Sequence, residues 1–320
     1  MKLPLYPIKF DPIFKEKVWG GNRLKTLLRK QTSLNKVGES WEISGVENNI
    51  SAVQNGVLKG KSLSDLSQNF TSDFLGKKVY DSYGNQFPLL FKFIDAKETL
   101  SVQLHPGDEL AKSRHNSFGK TEMWYIVHAD ENAELILGFN RATNKQLFLN
   151  HLRNNTLSQI LHKEKVKPGD AFLIAPGLVH AIGAGVLLAE IQQTSDITYR
   201  IFDWNRPGID GKMRELHSDL AMDAINFSPN QKIKLNTDNP DLIQNTYFSI
   251  NQLDTREKPI VDLKQIDSFV VYMCVSGETK IECGGVTESL KMGETVLIPA
   301  SAEMVHFQNG SAKLLEIFVP

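Results

Sequence analysis

Short runs of apolar, β-branched and aromatic residues recur along the chain, each closed by Gly, Pro, Asn or Asp. They include "PLLFKFID", "LSVQLH", "EMWYIVH", "AELILGF", "AFLIA", "GVLLAEIQ", "FVVYMCV", "ETVLIPA" and "AKLLEIFV". Runs of this length and composition predict β-strands. The helical period of apolar residues is found in fewer places. It predicts insertions over about 62–76, 143–165 and 214–226, the first capped by Ser62 or Ser64 and the second by Thr143 or Asn144. The pattern is that of a mainly β protein with helical insertions.

Two stretches repeat each other. "KPGDAFLIAPGLVHAIGAGVLLAEI", 167–191, matches "KMGETVLIPASAEMVHFQNGSAKLLEI", 291–317, aligning Gly169 with Gly293, His180 with His306 and Glu190 with Glu316. Each reads as strand, tight turn, histidine-bearing strand, Gly-containing turn and strand. Two such units predict two jelly-roll β-barrels of the cupin kind. The polar "SPNQKIKLNTDNPDLIQN" separates them, giving units of 1–235 and 236–320.

Charge removes several classes of function. The 36 basic and 37 acidic residues leave a net charge of -1, with no long block of one sign. That argues against nucleic acid and anionic membranes as partners. A small anionic substrate held by local lysines and arginines remains compatible. The N-terminal "MKLPLYPIKFDPIF" has no signal-peptide core, and two cysteines make no disulfide scaffold. Cys274 and Cys283 could pair in a hairpin, but reduced thiols in a cytoplasmic chain are the expected state. A monomer or weak homodimer is expected.

The chemistry begins at "LSVQLHPGDE". Gln103 and His105 stand two apart in a strand and so share one face. Glu122 opens the run "EMWYIVH", and His180 follows the turn "APG". Adjacent strands can bring the four into one interior. Two imidazoles, a carboxylate and an amide oxygen make an N/O site suited to one zinc ion per chain. Iron, manganese and cobalt fit the same ligands. A single buried histidine is ordinarily a hydrogen-bonded core residue, and His115, His128, His151, His162 and His217 are read so, in loops or on helices. Four potential ligands at strand ends are harder to explain by packing, since burying them unpaired is unfavourable. No Gln-x-His precedes His306, so the second barrel is expected to lack a metal site.

The segments "KVWGG", "GESWEIS", "SVQLHPGDE", "GKTEMWYIV" and "APGLVHAIGAGVLLAEIQQTSDITYRIFDWNR" resemble the type I mannose-6-phosphate isomerases in their short bacterial form. The likeness runs from about residue 5 to the end, and lacks the extra helical domain of the longer eukaryotic members. It implies a zinc enzyme on a cupin fold that interconverts mannose 6-phosphate and fructose 6-phosphate. It implies metal ligation by Gln103, His105, Glu122 and His180 and an active-site role for Arg200. It also places Lys92, Lys120 and Glu190 in or near the pocket, with Ser101 as a phosphate contact.

Such an isomerisation moves a proton between C1 and C2, through a cis-enediol. It asks for a cation beside the sugar oxygens, a base and a fixed positive group. Arg200 suits the last role because it stays charged and offers a planar fork of donors. Glu190 is the first choice of base, with a hydroxide on the metal as the competing candidate. Lys120 shares a strand face with Glu122 and suits phosphate or a substrate hydroxyl. The plainer readings are a solvated Lys120, a surface ion pair of Arg200 with Asp196 or Asp203, and core packing for Trp19 and Trp41. Two other functions compete. A cupin dioxygenase would ordinarily carry His-x-His where this chain has Gln103. A non-catalytic sugar-phosphate-binding protein would not need so much apparatus.

Overall fold

The computed structural model describes residues 2–228 and 233–320. The N-terminal half contains β1 (Ile13–Gly21), β2 (Val37–Ile43), β3 (Leu89–Ala96), β4 (Val102–Leu104), β5 (Glu122–Ala129) and β6 (Glu134–Phe139). It continues with β7 (Leu161–Lys165), β8 (Ala171–Ile174), β9 (His180–Ile182), β10 (Val186–Gln193) and β11 (Tyr199–Phe202). These form two antiparallel sheets, ordered β1-β2-β3-β10-β5-β8 and β11-β4-β9-β6-β7. Ile94, Trp124 and Ile126 of the first pack against Leu135, Leu137 and Ile182 of the second, closing a cupin-type barrel.

The C-terminal half is β12 (Asp241–Gln244), β13 (Ser249–Asp254), β14 (Ile260–Asp262), β15 (Val270–Cys283), β16 (Val286–Lys291), β17 (Thr295–Ile298) and β18 (Met304–Phe318). All seven join one sheet. The N-terminal segment reaches across to it, for Ile8 bridges Leu297 on β17. Of the polar segment 228–245, residues 229–232 lie outside the described residues.

The strands β3 and β10 are buried along their whole length. Their outward residues Phe91, Phe93, Leu187, Ala189 and Ile191 share one core with Phe248, Ile250, Val271, Met273, Leu315 and Ile317 of the C-terminal sheet. Their inward residues face the barrel. Both sides being covered explains why these strands read as largely apolar runs, interrupted by Lys92, Asp95, Glu190, Gln192 and Gln193.

The internal repeat is also a repeat of structure. Gly169 and Gly293 take φ of +92° and +89° in the turns before β8 and β17, a conformation glycine adopts freely. Glu190 on β10 lies between Lys92 on β3 and Trp124 on β5. Glu316 on β18 lies likewise between Asn251 on β13 and Tyr272 on β15. Each carboxylate is held by its two cross-strand neighbours. Lys92 and Trp124 Nε1 donate to Glu190 at 2.8 and 2.9 Å, and Tyr272 and Asn251 donate to Glu316 at 2.9 and 3.0 Å.

The helices differ from the sequence pattern in extent. Over 62–76 the helix is Leu63–Leu75, with Ser62 and Asp65 forming a reciprocal capping box. The helix expected over 143–165 is capped by Asn144 but stops at Arg153. Asn155 then turns with φ of +54°, and Leu161–Lys165 joins β6 as an edge strand instead. Over 214–226 the helix is only Ser218–Met222, because Arg214 is drawn to Asp203 and the Glu215 carbonyl to Arg200. Three further helices, Lys77–Tyr83, Asp108–His115 and the four-residue Arg23–Thr26, were not anticipated. The signal for the second was present: Pro106-Gly107, acidic residues in the first turn and Lys112, Arg114 and His115 in the last.

His128 and His162 lie on β5 and β7 rather than in loops or on helices. Cys274 and Cys283 are free and buried. Among the described residues, no helix is long and apolar enough to cross a membrane.

Candidate metal centre

The inner face of the first sheet carries the polar residues. Cross-strand pairing sets Trp41 beside Lys92, Lys92 beside Glu190, Glu190 beside Trp124, and Gln192 beside Glu122. From the facing sheet, Gln103 on β4 pairs with His180 on β9 and with Arg200 on β11. Two-residue alternation then puts His105 on the same face as Gln103.

His105, Glu122 and His180 converge, with one potential ligand atom from each lying within 4.8 Å of the others. All three are buried. His105 Nδ1 is 2.9 Å from the Ile197 carbonyl, and His180 Nδ1 is 2.9 Å from the Leu178 carbonyl. A carbonyl accepts only from N–H, so each ring carries its proton on Nδ1 and keeps a lone pair on Nε2. Burial lowers both imidazole pKa values, that of His180 to about 3, with neighbouring positive charge adding to the effect. Both rings are therefore neutral at ordinary pH, the form that ligates metal.

Glu122 complements them. Burial opposes its charge, but the His105 ring and Lys120 outweigh that and hold the carboxyl well below the usual range. Its Oε1 is 3.2 Å from His105 Nε2 and 3.3 Å from Lys120 Nζ. Two atoms of this cluster, His105 Nε2 and Glu122 Oε2, are buried without a hydrogen-bond partner. Orphaned buried atoms are unfavourable, and a cation between them would satisfy both. Gln103 Nε2 sits 3.4 Å from His180 Nε2, and its Oε1 is 3.4 Å from Ser101 Oγ. The amide thus borders the cluster. The donor set of two neutral imidazoles, a carboxylate and an adjacent amide fits a divalent transition metal.

Lys120 is buried beside Glu122 rather than solvated. Desolvation, with Lys92 nearby, lowers its pKa despite Glu122. Lys92 donates to Gln192 at 2.6 Å as well as to Glu190. Its pKa is nonetheless raised: burial opposes the charge, and Glu190, Glu39 and Glu122 outweigh that. Glu190 is displaced upward by burial and by Glu122, with Lys92 and Lys120 acting against the shift. Trp124, which holds Glu190, also packs edge-on against His180 with ring centroids 5.3 Å apart.

Arg200 makes no ion pair among the described residues. Asp203 is taken by Arg206 and Arg214, and Arg200 Nη1 donates to the Glu215 carbonyl at 2.9 Å. Its Nε is buried without a partner. Trp19 packs in the barrel core, and Trp41 lies under the Lys92 ammonium at 5.1 Å.

Glu39 is a neighbour that the sequence reading passed over. It accepts from Trp41 Nε1 at 2.7 Å and pairs with Lys17 at 3.0 Å. The Glu-x-Trp spacing in "GESWEIS" was its signal, because residues two apart share a face. His306, the counterpart of His180, belongs to no metal-type cluster among the described residues. A cleft of about 1040 Å³ lies beyond Ile197, the residue whose carbonyl orients His105.

Comparisons with known proteins place the whole chain in one family. Residues 8–138 match the family model "Phosphomannose isomerase type I, catalytic domain", and 239–319 match "Mannose-6-phosphate isomerase, cupin domain". The chain is 37% identical over 301 residues to mannose-6-phosphate isomerase ManA of Bacillus subtilis, covering 92% of this chain and 93% of that one. It is 31% identical to the mannose-6-phosphate isomerase of Streptococcus mutans, covering 94% and 95%. A crystal structure of the Bacillus subtilis mannose 6-phosphate isomerase superposes with a TM-score of 0.85 at 32% identity, covering 97% of this chain and 99% of that one.

Proposed function

The chain belongs to the type I mannose-6-phosphate isomerases, and from that premise we propose that it interconverts mannose 6-phosphate and fructose 6-phosphate with the help of one zinc ion held by Gln103, His105, Glu122 and His180. The observation that carries the metal reading is the pair of orphaned atoms, His105 Nε2 and Glu122 Oε2, within one buried cluster of neutral imidazoles and an ionised carboxylate. When bound, zinc supplies a positive charge that favours negative charge on the sugar oxygens.

The chain's own groups supply the rest. Glu190 is the proposed base carrying the proton between C1 and C2 on one face of a cis-enediol. Burial and Glu122 raise its pKa towards the working pH, as proton transfer requires. Lys92 and Trp124 fix its two oxygens and leave each a further lone pair. Lys120 is read as the donor to a substrate hydroxyl, Ser101 as a phosphate contact, and Lys92 as a substrate-binding group held against Glu190. Arg200 offers a charged fork with an unused Nε, next to Gln103 in the sheet. Residues 1–235 would form the catalytic barrel and 236–320 a barrel without a metal.

The test is elemental analysis joined to a coupled isomerase assay, before and after chelation. We expect about one zinc per chain, loss of turnover on chelation and its return on re-addition. His105→Ala should lose both metal and activity. Full turnover in a zinc-free preparation would refute the metal reading, leaving the family membership intact.

A further inference from the structure

The C-terminal barrel touches the metal centre through one line of hydrogen bonds. Tyr247, in the turn between β12 and β13, donates its hydroxyl to Asp108 Oδ2 at 2.5 Å. Asp108 opens the helix that follows His105. Its other oxygen accepts from Gly119 N at 2.8 Å and from Gln193 Nε2 at 3.0 Å. Gln193, buried at the end of β10, accepts from Thr121 N at 2.9 Å, while its own backbone N–H donates to the Thr121 carbonyl at 3.2 Å. Thr121 sits between Lys120 and Glu122.

We propose that Tyr247, Asp108 and Gln193 are positioning residues, through which the C-terminal barrel fixes the backbone that presents Lys120 and Glu122 to the metal. The inference rests on the metal reading above. Three features make the line stiff. Both amide ends of Gln193 are engaged, so its side chain cannot rotate without leaving the Thr121 N–H buried and unpaired. Gly119 packs against Asp108 so closely that a Cβ there would meet Asp108 N at 2.7 Å. The Tyr247 hydroxyl remains a donor across the working range, because burial and Asp108 push its pKa up to about 12. Groups that orient a metal ligand from behind are typically worth about 10- to 100-fold in metal affinity.

The test measures the zinc dissociation constant by chelator competition, together with kcat, KM and the melting temperature. It uses the full chain with Gln193→Met, Tyr247→Phe and both together. Tyr125→Phe is the control, since Tyr125 OH donates to Gln252 at 3.3 Å and so joins the two halves away from Thr121. Gln193→Met should weaken zinc about 10- to 100-fold and lower kcat with little change in KM. Tyr247→Phe should weaken zinc about threefold to tenfold, and the double variant should fall short of the product of the two, as expected of residues acting through one chain. Tyr125→Phe should keep the zinc affinity of the parent. Tyr247→Phe with parental zinc affinity and kcat would overturn the inference, as would full additivity with Gln193→Met. A parent chain that holds no zinc overturns the metal reading, and this proposal with it, before any substitution is compared.

Discussion

Lys92 and Glu190 form a buried ion pair, and the double-mutant cycle of Lys92→Met and Glu190→Gln tests what that pair does. Lys92 and Glu190 are each 4% exposed. Removing one partner of a buried pair leaves an uncompensated charge and costs about 3–5 kcal/mol. At about 2 °C per kcal/mol for a chain of this size, Lys92→Met should lower the melting temperature by about 6–10 °C. Glu190→Gln should do the same, because it strands the Lys92 ammonium. The double variant removes both charges and should recover a large part of the loss, a coupling seen by calorimetry. Activity gives a second reading. Lys92 opposes the upward displacement of Glu190 that burial and Glu122 cause, so its loss raises the Glu190 pKa further. A base must be deprotonated to act. The limb on which kcat/KM rises with pH should therefore move to higher pH in Lys92→Met, while Glu190→Gln loses about 10²- to 10⁴-fold in kcat. Additive single effects, or an unmoved pH limb, would refute this account of Glu190.

Four further outcomes follow from the same geometry. Burial alone would raise the Glu39 carboxyl, but Lys17, Lys92 and the Trp41 N–H outweigh it and bring it to about 2 from an ordinary 4.5. The folded pKa lies below the unfolded one, so Glu39 stabilises above pH 4.5, and this is lost as the pH falls towards 2. Denaturant titrations should show the parent losing about 3 kcal/mol more than Glu39→Gln over that window, and equal losses would contradict the assignment. Gly119→Ala puts a Cβ 2.7 Å from Asp108 N, and should destabilise the fold by about 1–3 kcal/mol in the same titrations. In the C-terminal barrel, His306→Ala should leave zinc content and kcat at parental values. Tyr272→Phe should cost about 1–3 kcal/mol in thermal melts, by leaving Glu316 one donor short.

The strands were legible because most are short apolar runs bounded by turn residues, and the repeat was legible because its two copies keep a glycine, a histidine and a glutamate in step. The convergence of His105 with the other candidate ligands could be anticipated from Gln103 and His105, since period-two alternation sends them to one side of the sheet. The partners of Glu190 could not. Lys92 lies 98 residues away and meets it only through the register of β3 on β10. Helix ends were misjudged where tertiary contacts overrode local pattern. Leu161–Lys165 became a strand because β6 offered it an unpaired edge, and Arg214 left the helical pattern for Asp203. The contact between Tyr247 and Asp108 spans 139 residues and has no local signature.

The matching seats of Glu190 and Glu316 make it simple to say where the duplicate barrel departs from its twin. Two residues before Trp124 on its strand is Glu122, opposite Ile174; two residues before Tyr272 is Val270, opposite Ile298. An isopropyl group thus occupies the berth that the Glu122 carboxylate has in the first barrel, packed in one core with Tyr272, Ile298 and Leu314. Anyone wishing to install a metal site in the C-terminal half would start at that valine.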